Sequence, residues 1–352
     1  MSSNKISNDI LCWYDDNKTE MPWRDEADPY KVWLSEIMLQ QTQVTTVIDY
    51  YYRWIERFPT ISDVASATVD EILKYWEGLG YYSRARNFHA SCKEIDREGG
   101  SVPKGLKEFQ NLKGVGPYIA AAVQSISFNE PVSVVDGNVN RVASRFNAYK
   151  TPANKNQKAI KIFMDSILDV HRPGDFNQAV MDLGRYICKP RNPLCGECPI
   201  SLSCIANQKS DQHLYPTKVK SKPIPHYDVA VGIISDGSRL LITKRKEDGL
   251  LGGLWEFPGG KMKHNENPKN AIKREIKEEL SIKIKTKDII AQVEHRYSHF
   301  SVSIRAIHCL YDGGDVKLNG PTAYKWINPK SLSQYAFPKA SIKLFKSIEG
   351  IT

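Results

Sequence analysis

The 352-residue chain has no run of about 20 apolar residues, so it holds no hydrophobic helix long enough to span a bilayer. Its N-terminus, MSSNKISNDILCWYDD, lacks the apolar stretch of a secretory signal and turns acidic at once, which predicts a cytoplasmic protein. No low-complexity tract and no repeat with a period of about 20–50 residues is present, which excludes solenoids and propellers. Cysteine is too scarce for a disulfide framework. Of seven, Cys12, Cys92 and Cys309 are scattered, while Cys188, Cys195, Cys198 and Cys204 crowd together, as in metal ligation in a reducing compartment. Acidic residues are outnumbered, 40 against 49 basic, and the net charge of +9 favours a polyanionic partner such as nucleic acid, or an anionic membrane surface.

What is present reads as two domains, since the chain is too long for one typical core. Residues 1–206 show apolar positions at three and four spacing, as in Val64/Ala65, Ile72/Leu73 and Trp76, and predict helices joined by short loops. Asp28-Pro29 supplies a cap and a first-turn proline for the helix over YKVWLSEIMLQQTQV. Residues 207–227, NQKSDQHLYPTKVKSKPIPHY, are polar, basic and proline-bearing, and read as a linker. Residues 228–352 alternate with period two or in short apolar runs around one helix, PKNAIKREIKEEL, and predict an α+β domain.

Leu112-Lys113-Gly114-Val115-Gly116-Pro117 predicts a tight turn feeding a helix near Tyr118, with Gly114 and Gly116 at backbone angles that a side chain would forbid. Such a turn leaves free N–H groups at a helix N-terminus, where a phosphodiester could sit; the alternative is a plain helix corner. Glu36 shares one helical stripe with Val32, Trp33 and Gln40. A carboxylate there loses water, its pKa rises, and it becomes a proton donor near neutrality, although a solvated helix glutamate is the commoner case. Asp136 follows the apolar Val132, Val134 and Val135. A glycosidic bond broken through an oxocarbenium-like state needs an acid and an anion, which Glu36 and Asp136 could supply. Gln40-Gln41-Thr42 and Gly80-Tyr81-Tyr82-Ser83-Arg84 carry flat groups able to fill the gap left by a flipped base. Core packing is the usual fate of such tyrosines, but Arg84 and Arg86 suggest a phosphate-facing loop. The cysteines are separated by six, two and five residues, a closed four-thiolate site that fits zinc or a [4Fe–4S] cluster.

LKGVGPY, VDGNV, WLSEIMLQQTQV, WEGLGYYSRARN and the cysteine loop together resemble the MutY family of adenine DNA glycosylases, in the helix-hairpin-helix superfamily that includes endonuclease III. The resemblance spans nearly all of the first domain and continues into the second. It implies an all-α helix-hairpin-helix glycosylase domain with a [4Fe–4S] cluster on loop 188–204, followed by an α+β Nudix-like domain. Glu36 would protonate adenine at N7, Asp136 would stabilise the sugar cation, and Tyr118 and Asn138 would line the same site. Arg24 and Gln178 would contact the flipped adenine, Gln41 and Tyr81 would act as wedges, and Gly114 and Gly116 would face DNA. Tyr118 stands where strand-cleaving relatives carry a lysine, which implies a glycosylase without strong lyase activity.

Gly260 to Ile282 resembles a Nudix box, with Glu275, Glu278 and Glu279 on one helical face. That set suits Mg²⁺; the alternative is a solvated helix in which Lys273 and Lys277 pair with the glutamates. Ser281 replaces the glycine of the signature and puts the following loop in question. In MutY proteins such a domain, similar to the 8-oxo-dGTP hydrolase MutT, is implied to read 8-oxoguanine. Tyr297-Ser298-His299 stands in place of a Phe-Ser-His loop, with Tyr297 stacking and Ser298 and His299 donating hydrogen bonds. Tyr335 to Pro338 is expected to close this domain's core. The implied protein hydrolyses the N-glycosidic bond of adenine opposite 8-oxoguanine or guanine in double-stranded DNA. It is expected to be a monomer, cytoplasmic, nucleoid-associated when bound to DNA, and without a membrane role.

Overall fold

The computed structural model describes residues 3–24, 27–217 and 223–348, so residues 218–222 of the expected linker lie outside it. The chain gathers into two compact units, Met1–Ser66 with Ala90–Ser221, and Ala67–His89 with Lys222–Thr352. Among the described residues no helix is long and apolar enough to cross a membrane.

The first unit is helical. Its core joins Ile10 and Tyr14 of the Ser3–Asn17 helix, Ala121 and Ala122 of Pro117–Phe128, and Val139 and Ala143 of Gly137–Phe146. Ile160 and Met164 of Gln157–Ile167 and Phe176, Ala179 and Val180 of Pro173–Asp182 complete it. The Pro29–Leu39 helix starts as expected: the Asp28 carboxylate accepts the Tyr30 N–H at 2.9 Å, with Pro29 in the first turn. It ends at Gln40, because Gln41 takes a left-handed φ of 57°. Trp33, Leu34 and Met38 on this helix are fully buried, and the Trp33 ring meets Phe109 edge-on at 5.3 Å.

The expected hairpin is present, with one correction. Leu106–Gln110 runs into a turn closed by the Val115 N–H to the Leu112 carbonyl at 3.1 Å. Gly114 has φ 85°, which a side chain would resist. Gly116 does not: it sits in extended backbone, φ −83° and ψ 172°, and a Cβ there would meet only open space. It serves as an N-cap without a side chain, leaving the first N–H groups of the Pro117–Phe128 helix uncovered by any cap.

The segment leading to Asp136 is irregular, so its polar backbone needs other partners. Asn177, fully buried, supplies them. Its Oδ1 accepts the Val134 N–H at 3.0 Å, and its Nδ2 donates to the Val132 carbonyl at 2.8 Å and to Ser125 Oγ at 2.9 Å.

The second unit is built on a mixed sheet. Its strands are β1 (His226–Ser235), β2 (Leu240–Lys244), β3 (Trp255–Glu256), β4 (Gly259–Lys261), β5 (Ile284–Arg296), β6 (Ser301–Tyr311) and β7 (Ala323–Ile327). The main order is β3-β2-β1-β6-β5, with β4 on β1 and β7 on β2; β1 and β6 are parallel. Strand alternation sends Ala230 and Ile234 beneath the Pro268–Leu280 helix, against Ile272 and Ile276. Val231 and Ile233 face the opposite way, toward Phe257 and Phe337. Phe337 is fully buried, as the expected core closure requires. Ser281 adopts the left-handed φ of 58° that glycine would favour, and still caps the helix through its N–H to the Lys277 carbonyl.

Ala67–His89 joins this unit through specific bonds. Glu77 accepts the Phe337 N–H at 2.7 Å, Lys244 pairs with Asp70, and Arg86 donates to the Glu247 and Gly252 carbonyls. The two arginines that suggested a phosphate-facing loop are themselves bonded within the protein. Arg84 turns onto the Leu79 and Gly80 carbonyls and lies over Trp76, while Arg86 is tied to carbonyls.

Replacing Asn177 by leucine removes three buried hydrogen bonds and strands the Val134 N–H. We expect a loss of roughly 2–4 kcal/mol, measured by urea unfolding of the full chain; an unchanged midpoint would contradict the assignment.

Candidate active site and cysteine loop

The helices converge on one cleft of about 850 Å³ in the first unit. Glu36, Tyr118, Asp136, Asn138, Gln178, Arg24 and Gln41 all line it. Sequence spacing could not bring these residues together, and the fold does. Tyr81 and the Tyr297–His299 loop lie in the second unit.

Glu36 is 5% exposed. Burial raises its carboxyl from the ordinary 4.5 to about 7, against the opposing effect of a hydrogen bond from the Tyr118 hydroxyl; nearby Asp136 raises it further. Burial and the same carboxylates hold the Tyr118 phenol well above its usual range, so it remains a donor. Asp136 is the N-cap of the Gly137–Phe146 helix. Its Oδ1 accepts the Val139 N–H at 2.7 Å and its Oδ2 accepts Asn138 Nδ2 at 3.0 Å. Capping fixes the carboxylate, while burial pushes its pKa up despite those bonds.

Arg24 lines the cleft, but both terminal nitrogens are held by Asp182, at 2.7 and 2.9 Å. Gln178 and exposed Gln41 also line the cleft, and the Gln178 amide donates to the Gly174 carbonyl at 3.4 Å. Gln41 and Tyr81 share a feature: each is a non-glycine residue with left-handed φ, 57° and 47°. Such strain collects at functional positions. The Tyr81 hydroxyl is buried without a partner, and its ring meets His299 edge-on at 6.1 Å.

In the β5–β6 hairpin, Ser298 and His299 are exposed. Tyr297 is half-buried: its ring stacks on Phe300 at 4.6 Å and packs against the sheet core.

None of the cysteines is in a disulfide. Cys188, Cys195, Cys198 and Cys204 surround one cavity, closed by Val142, Phe146, Leu183 and Ile200. Burial first, then the neighbouring cysteines, push the Cys198 thiol up to about 12; a cationic core is needed to hold all four as thiolates. Among the described residues, no three His, Cys, Asp or Glu side chains converge closely enough to hold a single ion. Four thiols lining one cavity can hold zinc or a [4Fe–4S] cluster.

Two residues absent from the sequence reading hold this loop, and one of them joins it to the cleft. Arg141 donates through Nε to the Cys188 carbonyl at 2.7 Å, and through Nη2 to the Gly184 carbonyl at 2.7 Å and to Asn138 Oδ1 at 2.9 Å. A chain of bonds therefore runs from a cluster cysteine to the Asp136 carboxylate. Gly184 permits it, since a Cβ there would lie 2.6 Å from Asn138 Cβ. Arg145 also grips the loop. Both arginines share the helical face of Asn138, a spacing visible in sequence; which face meets the cysteines is not.

The HhH-GPD superfamily base excision DNA repair profile matches residues 34–166, the iron-sulfur binding domain of endonuclease III matches 188–204, and the NUDIX domain matches 229–347. The structure of a thermostable thymine-DNA glycosylase is 28% identical, with TM-score 0.55, over 59% of this chain and 97% of that one. A non-covalent endonuclease III–DNA complex aligns with TM-score 0.51 at 22% identity over 60% of this chain and 98% of that one, a likeness of fold. Fold, hairpin and cysteine loop define a helix-hairpin-helix DNA glycosylase of base excision repair, with an iron–sulfur cluster and a Nudix-like second part. The human adenine DNA glycosylase is 32% identical over 97% of this chain and 73% of its own length. That of Buchnera aphidicola subsp. Baizongia pistaciae is 32% identical over 97% and 95%. The chain belongs to the adenine DNA glycosylase family.

The raised carboxyl has a stability consequence. Glu36 binds its proton more tightly folded than unfolded, so its contribution is fully present below pH 4.5 and is lost as pH rises through about 7. Glu36→Gln removes that loss. At pH 8 the variant should be more stable than the parent by up to roughly 3 kcal/mol, with the gap closing by pH 5. Thermal unfolding at the two pH values measures it; a variant less stable at pH 8 would contradict it.

Proposed function

We propose that the chain excises adenine mispaired with 8-oxoguanine, or with guanine, from double-stranded DNA. The observation that supports this most is the shared cleft, in which one carboxyl is tuned to about 7 and a second is fixed at a helix cap. Glu36, protonated, gives its proton to adenine N7. The C1′–N9 bond breaks with its electrons leaving on the base, and Asp136 as carboxylate faces the oxocarbenium ion. Water adds at C1′ and returns a proton to Glu36. Tyr118 orients Glu36, and Asn138 orients Asp136. With a phenol rather than an amine at position 118, no Schiff base forms, and the abasic strand stays intact until alkali is added.

The uncovered N–H groups after Gly116 and the Gly114 turn would hold a strand phosphate. Gln41 and Tyr81 would fill the space left by the extruded base. Ser298 and His299 would read 8-oxoguanine from the exposed hairpin, with Tyr297 as its support. We take the working division to be a glycosylase domain, 1–206, a linker, 207–227, and a recognition domain, 228–352. One catalytic set per chain implies a monomer, acting on the chromosome. When bound, the cluster supplies metal–thiolate bonds that staple loop 188–204.

The Nudix-like glutamates are a weaker fit to Mg²⁺. Arg274 holds Glu275 at 2.5 Å and reaches Glu278 at 3.4 Å, rather than the lysines pairing with them. Burial and the neighbouring Glu256 raise Glu279 to about 7, and a bound cation would offset that crowding of carboxyls. Incubating the full chain with Mg²⁺ and 8-oxo-dGTP tests hydrolysis, and we expect no pyrophosphate release.

Glu36→Gln and Asp136→Asn should each lower single-turnover excision on an A:8-oxoguanine duplex by roughly 10²–10⁴-fold while retaining duplex binding; normal turnover by Asp136→Asn would sink the mechanism. Ser298→Ala with His299→Ala should slow A:8-oxoguanine cleavage and leave A:G cleavage unchanged. Equal slowing of both would remove lesion reading from this loop.

A further inference from the structure

Arg145 is 3% exposed, yet none of its acceptors is a carboxylate. Its Nε donates to the Gln212 and Tyr215 carbonyls, both at 3.1 Å. Its Nη1 donates to the Lys189 carbonyl at 2.7 Å and to the carbonyl and Sγ of Cys188, each at 3.3 Å. Its Nη2 donates to the Pro190 carbonyl at 3.2 Å. Arg24 has Asp182, Arg172 has Asp15 and Asp175, and Arg274 has three glutamates; Arg84, Arg86 and Arg141 are also held by carbonyls or an amide, but each is less buried than Arg145.

A buried guanidinium without a counter-charge is costly, and carbonyl dipoles satisfy its donors without neutralising it. Among its partners, only the Cys188 sulfur can carry a full negative charge. Arg145 lines the same cavity as all four cysteines. Arg191 of the loop is exposed, so its field is screened by salt, whereas that of Arg145 is not.

We propose that Arg145 is the built-in counter-ion of the iron–sulfur cluster, neutralising the Cys188 thiolate from inside the fold and setting the cluster's reduction potential. A [4Fe–4S]²⁺ core with four thiolates is a dianion, and one-electron reduction makes it a trianion. A fixed positive charge in a low-dielectric site stabilises the more negative state more strongly, and so raises the potential. Arg141 has a different role: it meets the Cys188 carbonyl and turns its other donors to Asn138 and Gly184.

The test uses the full chain carrying its cluster, with Arg145→Lys, which keeps the charge, and Arg145→Gln and Arg145→Met, which remove it. Iron and acid-labile sulfide per chain give retention, and voltammetry gives the potential. The lysine variant should load as the parent does and keep its potential. The neutral variants should lose at least half of their iron, and the loaded fraction should shift to a more negative potential. Full loading with an unshifted or more positive potential in the neutral variants overturns the proposal. If they hold no cluster at all, lysine decides: rescue supports a counter-ion, and equal loss by Arg145→Lys overturns it.

Discussion

Two carboxyl groups kept from water within one cleft are the constraint on which this structure depends. Water would return Glu36 to its ordinary acidity and leave it ionised at neutral pH. Its helix supplies the exclusion, with Trp33, Leu34 and Met38 fully buried on the same helix. The Tyr118 phenol is held above its normal range by the same burial, so it gives a hydrogen bond without competing as an anion. Asp136 reaches the cleft by another route, as the capping residue of a helix whose approach segment is pinned by Asn177. Burial at both sites costs stability, and chemistry is the compensation.

The cysteine loop is tied to this arrangement by Arg141. The Cys188 carbonyl, Arg141, Asn138 and Asp136 form one continuous set of bonds. A loop that lost its shape would release Arg141, and with it the amide that fixes one oxygen of the Asp136 carboxylate. Loop 188–204 is thereby linked to the cleft by hydrogen bonds, while Arg145 meets the sulfur of the same cysteine.

Much of the fold could be read from local signals. Asp28-Pro29 starts a helix through a cap and a fixed φ, Gly114 takes the left-handed angle its turn requires, and the crowded cysteines form one site. These effects act over a few residues. The convergence of Glu36, Tyr118, Asp136 and Gln178 was implied by family resemblance and by nothing in the spacing, because it is a product of helix packing. Arg141 and Arg145 were missed for the same reason: their face of the helix is marked, but what it meets is tertiary. Gly116 shows that a glycine can be present without an unusual angle, and Ser281 that an unusual angle can be present without glycine. Tyr297 stacks on Phe300, and Arg84 and Arg86 are bonded to carbonyls; these partners come from tertiary packing and leave no local mark in the sequence.

The central claim is that one glutamate of the cleft stays protonated near neutrality. A carboxyl ¹³C NMR titration of the glutamate-labelled full chain tests it directly, with Glu36→Gln as the reference because Glu279 is also raised to about 7. The account predicts a signal with a midpoint near 7 in the parent that is missing from Glu36→Gln. If the signal removed by that substitution titrates near 4.5, the account is contradicted.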